Sequence, residues 1–328
     1  MQIKPVKVCT IEAPCKINLH LSIGEKRPDG FHNLSGLFVS LAFSDTIRFE
    51  ITEKGDCHHL EDDNLILRAI SLFRRQTGLK FGLNIHLDKS IPVGAGLGGG
   101  SSDAASTLLA LNQFAGYAGV ALPTEELMEM AAFLGSDVPF FIKAGGAFVS
   151  GRGEFVEPVE LPKGLWVVLA MPPFPSDTAL AYRRLDKMRE HGAGVEKKPE
   201  IGRELLSRET LIHALKDESG NWPFYNDFLP VFLSPYSSIG FVEGRNEDLE
   251  DFEDIKVIEE KAATYRAILN SLQVFGASFS GLSGAGSCCF GLFNEKEGAE
   301  KAVKGLSAHG NFARLTFFLA HRRDPVLE

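Results

Sequence analysis

The sequence predicts a two-domain protein that combines helices with half-buried strands. Its length of 328 residues favours two domains, because it exceeds what one small core organises. Segments such as INLHLSIG alternate apolar and polar residues, which is typical of a strand with one face in solvent. Other segments repeat apolar residues every three or four positions, which predicts helices that bury one face.

Composition and charge exclude several classes of protein. Hydrophobic residues make up 44% and charged residues 23%, values typical of a globular chain rather than a disordered one. A net charge of −9 provides no diffuse attraction for nucleic acid or an anionic membrane, so we expect neither as a partner. An anionic small molecule would need a specific binding site.

The cysteines and the N-terminal segment indicate the cellular compartment of the protein. None of the five cysteines stands in a C-x-x-C pair, which argues against a disulfide framework or a zinc site and fits reduced thiols. The first residues lack the apolar stretch of a signal peptide, and no run approaches the ~18 apolar residues of a membrane span. We therefore expect a soluble, cytoplasmic protein, and the sequence leaves its oligomeric state open.

The first strand is predicted over residues 17–24, where apolar residues alternate with Asn18, His20 and Ser22. Lys16 falls on the polar face of this strand, on the same side as Asn18. Further strands are predicted over 36–43, 46–51, 81–87, 146–151 and 165–171, and within 278–293 and 312–320.

Helices are predicted over residues 64–77, from the glycine-rich segment to Gly116, and over residues 124–134. Three segments rich in proline, glycine or charge are predicted to be loops: 171–177, 186–204 and 243–254.

Residues 91–112 concentrate five glycines within seven positions, directly before a helical pattern. Gly94, Gly96 and Gly99 satisfy the dinucleotide fingerprint, but the preceding strand pattern is half exposed rather than doubly buried. Gly94 and Gly99 also have the spacing of a Walker loop, but Gly100 stands where its lysine belongs. Both familiar motifs therefore fail.

The glycines still predict a phosphate-binding loop on physical grounds. Backbone N–H groups of glycines approach an anion closely, and Ser101 and Ser102 add hydroxyls at a helix N-terminus, whose dipole favours phosphate. Because the loop supplies no cation, Mg²⁺ and a lysine from elsewhere must balance the charge of a nucleotide. The alternative is a glycine-rich turn with a serine cap. The predicted loop residues are Pro92, Val93, Gly94, Ala95, Gly96, Leu97, Gly98, Gly99, Gly100, Ser101 and Ser102.

Asp137 and Lys16 are candidate catalytic residues. Taken alone, Asp137 is better interpreted as a helix cap and Lys16 as a surface side chain. Together they fit phosphoryl transfer, which needs a carboxylate to orient or deprotonate the attacking hydroxyl and a cation nearby.

Two further features could bind ligand. Phe31 and His32 follow a Pro-Asp-Gly turn and form an aromatic, hydrogen-bonding pair that could hold a planar base. A core phenylalanine with a capping histidine is the alternative. Residues 282–287 (LSGAGS) form a second glycine loop between strand patterns, for which a β-turn is the alternative.

Three separated segments resemble the GHMP kinase superfamily. PVGAGLGGGSSDAA is similar to its central ATP-phosphate loop, APCKINL to its N-terminal motif and LSGAGS to its C-terminal glycine motif. Longer stretches, including LGSDVPFFIKAGGAFVSGRGE and NDF at Asn226, resemble the branch that acts on a cytidine diphosphate ester of methylerythritol.

The resemblance implies an α+β fold of two domains with the active site in the cleft between them. Residues 1–162 would form an N-terminal domain like domain 2 of ribosomal protein S5, and residues 163–328 a ferredoxin-like C-terminal domain. It also implies ATP and Mg²⁺ as cofactors and phosphorylation of the 2-hydroxyl of the methylerythritol group, a step of isoprenoid precursor biosynthesis.

The resemblance also implies roles for residues at matching positions. Asp137 would be the catalytic base and Lys16 its charge partner. The loop 92–102 would wrap the ATP phosphates, while Gly284 and Gly286 would shape the cleft from the second domain.

The substrate contacts are implied in the same way. Asn18 would contact the methylerythritol part, Phe31 and His32 would hold cytosine, and Phe174 would offer a second stacking face. Two other hypotheses stay open: a sister kinase acting on mevalonate, a sugar or homoserine, and a nucleotide-binding protein of this fold without catalysis.

Overall fold

A computed structural model gives the structure of the chain and describes residues 7–53, 55–143, 145–191, 206–216, 222–234 and 255–328. Ten strands lie within these ranges. They are β1 (Val8–Lys26), β2 (His32–Thr52), β3 (Gly82–Asp88), β4 (Gly146–Gly151), β5 (Phe155–Val159), β6 (Trp166–Met171), β7 (Phe279–Leu282), β8 (Cys289–Phe293), β9 (Phe312–Phe317) and β10 (Val326–Leu327).

The strands form two antiparallel sheets. The first has the order β10–β1–β2–β4–β5, with β3 paired to β2 as a sixth strand. The second has the order β7–β8–β6–β9. Strands β1 to β5 precede residue 162 and strands β6 to β9 follow it, but β10 returns to the first sheet beside β1. The division at residue 162 remains a prediction.

Nine helices lie within the same described ranges, and the three predicted helices are among them. They are α1 (Leu65–Thr77), α2 (Gly99–Tyr117), α3 (Thr124–Leu134), α4 (Val138–Lys143), α5 (Thr178–His191), α6 (Arg208–Leu215), α7 (Leu229–Leu233), α8 (Ile255–Val274) and α9 (Lys296–Ala308). In the described part of the chain, none of the helices has the length and apolar character needed to span a bilayer.

Helix α2, which begins in the glycine loop, is largely buried. It packs against β1, α1 and α4, and many of its buried residues are small, including Ala104, Ala105 and Ala110. Small side chains let neighbouring elements approach closely, so α2 packs tightly against these elements.

The predicted solvent-facing side of residues 17–24 is wrong. Asn18, His20 and Ser22 are as buried as the apolar residues between them. The reason is a later segment: the Leu21 N–H donates to the Tyr225 carbonyl at 2.9 Å, and the Asp227 N–H donates to the Leu21 carbonyl at 3.0 Å. The Tyr225 N–H also donates to His20 Nδ1 at 3.3 Å and its hydroxyl to Ser22 Oγ at 3.1 Å, so the same segment covers the polar face of β1, which alternation in the sequence does not reveal.

Two other expectations change. The patterns at 36–43 and 46–51 belong to one continuous strand, β2, rather than to two. The predicted loop 186–204 begins inside α5, since residues 186–191 are helical. Residues 192–204 and the acidic segment 243–254 lie outside the described residues.

Candidate active site

A cavity of about 990 Å³ lies where the glycine loop, β1 and the loop between β7 and β8 meet. Most of the predicted site residues line it. They are Lys16, Asn18, Phe31, His32, Asp137, Gly284 and every loop residue from Pro92 to Ser101. The fold thus brings together groups as far apart in the sequence as Lys16 and Gly284.

Lys16 and Asp137 form an ion pair in this cavity. Lys16 Nζ lies 3.3 Å from Asp137 Oδ2, and the exposed fractions of the two side chains are 3% and 32%. Lys16 follows an irregularity in the pairing of β1 with β2, and Asp137 immediately precedes α4. The lysine is therefore held in place by the fold, while the carboxylate remains open to a ligand.

Asn18 links this pair to the second glycine loop. Its Oδ1 accepts hydrogen bonds from Lys16 Nζ and from the Gly284 N–H, each at 2.7 Å. Asn18 Nδ2 is buried, and no described residue accepts a hydrogen bond from it. Asn18 also lines the cavity, so it stands beside the Lys16–Asp137 pair where a ligand would bind.

The first glycine loop has the backbone conformation of an anion-binding turn. Gly94, Gly96 and Gly98 have φ values of +70°, +71° and +69°, in the left-handed region that favours glycine. Gly98 is the N-cap of α2, so Gly99 and Gly100 lie in the first helical turn, where N–H groups have no intrahelical acceptor. The loop therefore presents backbone donors together with the positive end of the helix dipole.

The two glycine loops are in direct contact. A Cβ atom at Gly96 would lie 2.2 Å from the Ser283 carbonyl oxygen, and Ser283 Oγ donates to the Gly96 carbonyl at 2.9 Å. The Cys288 N–H donates to the Ala95 carbonyl at 3.0 Å. The absence of a side chain at Gly96 is thus required by the second loop as well as by φ.

Asn226 holds the second loop in place. Its Nδ2 donates to the carbonyls of Leu282 and Gly284 at 2.8 and 2.9 Å, while its Oδ1 accepts from the Phe228 N–H at 2.9 Å. The sequence pattern gives no sign of this role, because a single asparagine has no periodic spacing that would indicate its partners.

A second lysine lies beside the glycine loop, and sequence analysis did not single it out. Lys89 Nζ donates to Asp45 Oδ2 at 2.5 Å and to Asp103 Oδ2 at 3.0 Å. Asp45 also accepts from the N–H groups of Ser90 and Ile91 at 2.6 and 2.8 Å. Lys89 therefore ties the residues before the loop to the helix after it, and it lines the cavity.

Burial raises the pKa of Asp103 to about 7, although the charge of Lys89 opposes this shift. The folded chain therefore binds this proton more tightly than the unfolded chain, whose carboxyl has a pKa of 3.8. Unfolding releases the proton between about pH 4 and pH 7, so we expect the free energy of unfolding to fall as pH rises through that range.

Asp103→Asn should remove this slope, which is at most about 1.4 kcal/mol per pH unit. Urea denaturation of the wild type and the variant at several pH values measures it. The exposed Asp62, changed to Asn, is the control. Parallel pH profiles for wild type and Asp103→Asn would contradict the prediction.

The other end of the cavity is aromatic. His32 Nε2 lies 2.8 Å from Asp186 Oδ1, and the His32 ring stacks on Tyr182 with centroids 5.0 Å apart. Burial, followed by the charges of Asp137 and Asp186, raises the pKa of Tyr182 to about 12. Tyr182 and Asp186 were missed in the sequence, although their spacing of four on α5 places them on one helix face.

Three predicted residues lie away from the cavity wall. The Ser102 hydroxyl is buried without a hydrogen-bond partner among the described residues. Phe174 lines a separate cavity of about 220 Å³, where its ring packs against Tyr265 with centroids 5.6 Å apart. Gly286 is also next to Tyr265, whose Oη would lie 3.1 Å from an added Cβ.

The chain is similar to one family of kinases in both sequence and structure. Residues 64–145 match the model of the GHMP kinases N terminal domain, and residues 241–311 match that of the GHMP kinases C terminal. The chain is 34% identical, over 90% of its length and 93% of the relative's, to 4-diphosphocytidyl-2-C-methyl-D-erythritol kinase of Thermodesulfovibrio yellowstonii.

Two other matches differ in extent. A chloroplastic 4-diphosphocytidyl-2-C-methyl-D-erythritol kinase of Oryza sativa subsp. japonica is 45% identical over 53% of the chain, but the match spans only 45% of that relative. A crystal structure of 4-(cytidine 5'-diphospho)-2C-methyl-D-erythritol kinase superposes with a TM-score of 0.70 at 29% identity, covering 94% of this chain and 98% of that one.

Proposed function

Since the chain belongs to the GHMP kinases, and within them to the 4-diphosphocytidyl-2-C-methyl-D-erythritol kinase family, we propose that it phosphorylates the 2-hydroxyl of that cytidine diphosphate ester with ATP. The observation that carries the proposal is the Lys16–Asp137 pair, which faces the same cavity as the glycine loop. The phosphorylated ester would serve isoprenoid precursor biosynthesis. A cytoplasmic location remains a prediction of the sequence.

Asp137 is the proposed general base. Its carboxylate is partly exposed in the cavity and can accept the proton of a substrate hydroxyl, or orient that hydroxyl for attack on the terminal phosphorus. Lys16 lies 3.3 Å from the carboxylate, where its positive charge can stabilise the charge that develops during transfer. In this arrangement neither group needs to move far for the reaction.

The glycine loop is the proposed site of the ATP phosphates. The left-handed glycines and the first turn of α2 supply backbone donors, and Ser101 lies on the cavity wall. A lysine within the loop is unnecessary, because Lys16 and Lys89 reach it from neighbouring segments.

The same site fits a magnesium ion held mainly by phosphate oxygens. Among the described residues, no group of three or more His, Cys, Asp or Glu side chains could hold a metal alone. Ser101, which lines the cavity at the start of α2, is the proposed protein ligand of the ion. Bound Mg²⁺ supplies neutralisation of phosphate charge.

Substrate contacts are proposed along the opposite wall. Asn18 lines the cavity beside Lys16 and is the proposed contact for the methylerythritol part of the substrate. Phe31, His32 and Tyr182 provide aromatic surface for cytosine at the far end. Phe174 lies in the separate cavity, so Tyr182 replaces it in this proposal as the second aromatic residue.

The finer fold description belongs to the proposal as well. The second sheet follows the chain order β6, α5 to α8, β7, β8, α9, β9 with the spatial order β7–β8–β6–β9, an arrangement that supports a ferredoxin-like second domain. Helices α1 to α4 lie between β2 and β4 of the first sheet, which supports the likeness to domain 2 of ribosomal protein S5.

A coupled assay of ADP release tests the function. With ATP and Mg²⁺, we expect kcat/KM for the cytidine diphosphate ester of methylerythritol to exceed that for mevalonate or homoserine by at least about 10³-fold, because only the former fills the aromatic end of the cavity. Equal or better turnover of mevalonate or homoserine would indicate a sister kinase. ATP binding without turnover of any alcohol would indicate a non-catalytic nucleotide-binding protein.

A further inference from the structure

Arg152 occupies an unusual position at the aromatic end of the cavity. Its guanidinium carbon lies 4.4 Å from the centroid of the Phe31 ring, and both residues line the cavity. An arginine stacked on an aromatic ring keeps its N–H groups at the edge of the guanidinium plane, where they can still donate to an anion. The stack therefore orients a cation without using up its donors.

The turn that carries Arg152 is fixed beside the catalytic segment. Gly151 has φ +73° and Gly153 has φ +125°, and a Cβ at Gly153 would lie 2.1 Å from the Ser136 carbonyl oxygen. The Arg152 N–H donates to Glu154 Oε2 at 2.5 Å. The turn of Arg152 is thus packed on the residue that precedes Asp137, while the Arg152 side chain stacks on Phe31.

The other cations of the cavity wall already have protein partners. Lys16 pairs with Asp137, Lys26 with Asp186 at 3.8 Å, and Lys89 with Asp45 and Asp103. Arg183 also has a partner. For the Arg152 guanidinium, no acidic side chain lies within salt-bridge distance among the residues that the structure describes.

The charge of Arg152 also affects the pKa of Asp29, a carboxylate that lies beyond salt-bridge distance from it. The small loss of solvent around Asp29 raises its pKa, but the Phe31 N–H and the charges of Arg27 and Arg152 outweigh this, so the pKa is lowered. Asp29 forms its ion pair with Arg27, at 3.0 Å. The charge of Arg152 is therefore not neutralised by direct contact and is available to a ligand.

We propose that Arg152 binds the diphosphate group of the substrate and so selects a nucleoside diphosphate ester over an uncharged nucleoside. This inference rests on the proposed function, because the diphosphate belongs to the proposed substrate. A chain of net charge −9 needs a local cation wherever a second polyanion binds besides ATP. Arg152 meets that need, because it stacks on Phe31 of the proposed cytosine site and its turn packs on Ser136, the residue before Asp137.

Calorimetric titration of the full chain with CDP and with cytidine tests the inference. In Arg152→Gln we expect affinity for CDP to fall about tenfold while affinity for cytidine changes less than twofold, because a charge-assisted hydrogen bond is lost but stacking is kept. Arg152→Lys should show an intermediate loss for CDP. Arg48→Gln, which removes a half-exposed arginine on β2 outside the cavity, is the matched control and should leave both affinities unchanged.

The outcomes separate the inference from the proposed function. Equal losses for CDP and cytidine in Arg152→Gln would overturn the inference, since Arg152 would then act only by orienting Phe31. Unchanged CDP affinity would overturn it as well. If the wild type bound neither CDP nor cytidine and did not turn over the cytidine diphosphate ester, the proposed function itself would fail. Kinetically, we expect Arg152→Gln to raise KM for the ester about tenfold with kcat within about twofold.

Discussion

Asp137→Asn should lower kcat by about 10²-fold or more while the affinity for ATP changes by less than about threefold. Asparagine has nearly the same shape and keeps an oxygen beside Lys16, but it cannot take a proton from the substrate. The glycine loop does not depend on this carboxylate for its conformation, so nucleotide binding should persist. Steady-state kinetics and calorimetric titration with an ATP analogue measure the two quantities.

Glu61→Gln is a matched control for this variant. Glu61 is an exposed carboxylate on the wall of the same cavity, so its loss changes the local charge equally without touching the Lys16–Asp137 pair. We expect its kcat to stay within about twofold of the wild type. Turnover of Asp137→Asn at the wild-type rate would contradict the assignment of Asp137 as base or orienting group.

A double variant tests whether Lys16 and Asp137 act as a unit. Residues that work together give non-additive losses, so Lys16→Met combined with Asp137→Asn should be little slower than the slower single variant. Multiplicative losses would instead indicate independent roles. Thermal unfolding of each variant shows whether the removal of a buried lysine has also reduced stability.

The parts of the fold that the sequence predicts are those set by local chemistry. Helix α1 is an example: Asn64 caps it by accepting from the Ile66 N–H at 2.9 Å, and Gly78 ends it with φ +71°. Each of these signals depends only on residues within one helical turn of the helix end. The buried face of α3 likewise follows from apolar spacing alone, as Leu127 and Ala131 show.

The parts that sequence reasoning missed depend on contacts between distant segments. The buried polar face of β1 requires residues 225–227 to dock against it, and nothing near β1 in the sequence announces that contact. The Lys89–Asp45–Asp103 cluster needs three segments to meet at the base of the glycine loop. A lone lysine or aspartate in the sequence gives no indication of such a partner.

The residues of the candidate site also divide into those with a local signal in the sequence and those without one. The glycine loop could be identified from composition because backbone conformation restricts residue type directly. Lys16 and Asp137 had no individual signal and became candidates only as complementary chemical groups. Tyr182 and Arg152 were overlooked because an aromatic residue on a helix and an arginine in a turn have many ordinary explanations.

Gly96→Ala should be the most damaging single-methyl change in the cavity. A Cβ at this position would lie 2.2 Å from the Ser283 carbonyl oxygen and 2.8 Å from that of Gly286, so the two glycine loops would have to separate. We expect the free energy of unfolding to fall by about 1–2 kcal/mol from the left-handed backbone and a further 1–3 kcal/mol from the overlap. A shift of the phosphate loop by about 1 Å should also lower kcat/KM about 10²-fold.

Gly119→Ala isolates the backbone contribution. Gly119 has φ +73°, close to the +71° of Gly96, but nothing lies within 4 Å of the position of an added Cβ. It should therefore lose only the first 1–2 kcal/mol and keep kcat/KM within about twofold of the wild type. Urea denaturation and steady-state kinetics of the two variants compare them directly. Equal effects at the two positions would mean that contact between the glycine loops is not what shapes the phosphate site, and that Gly96 is required only for its own conformation.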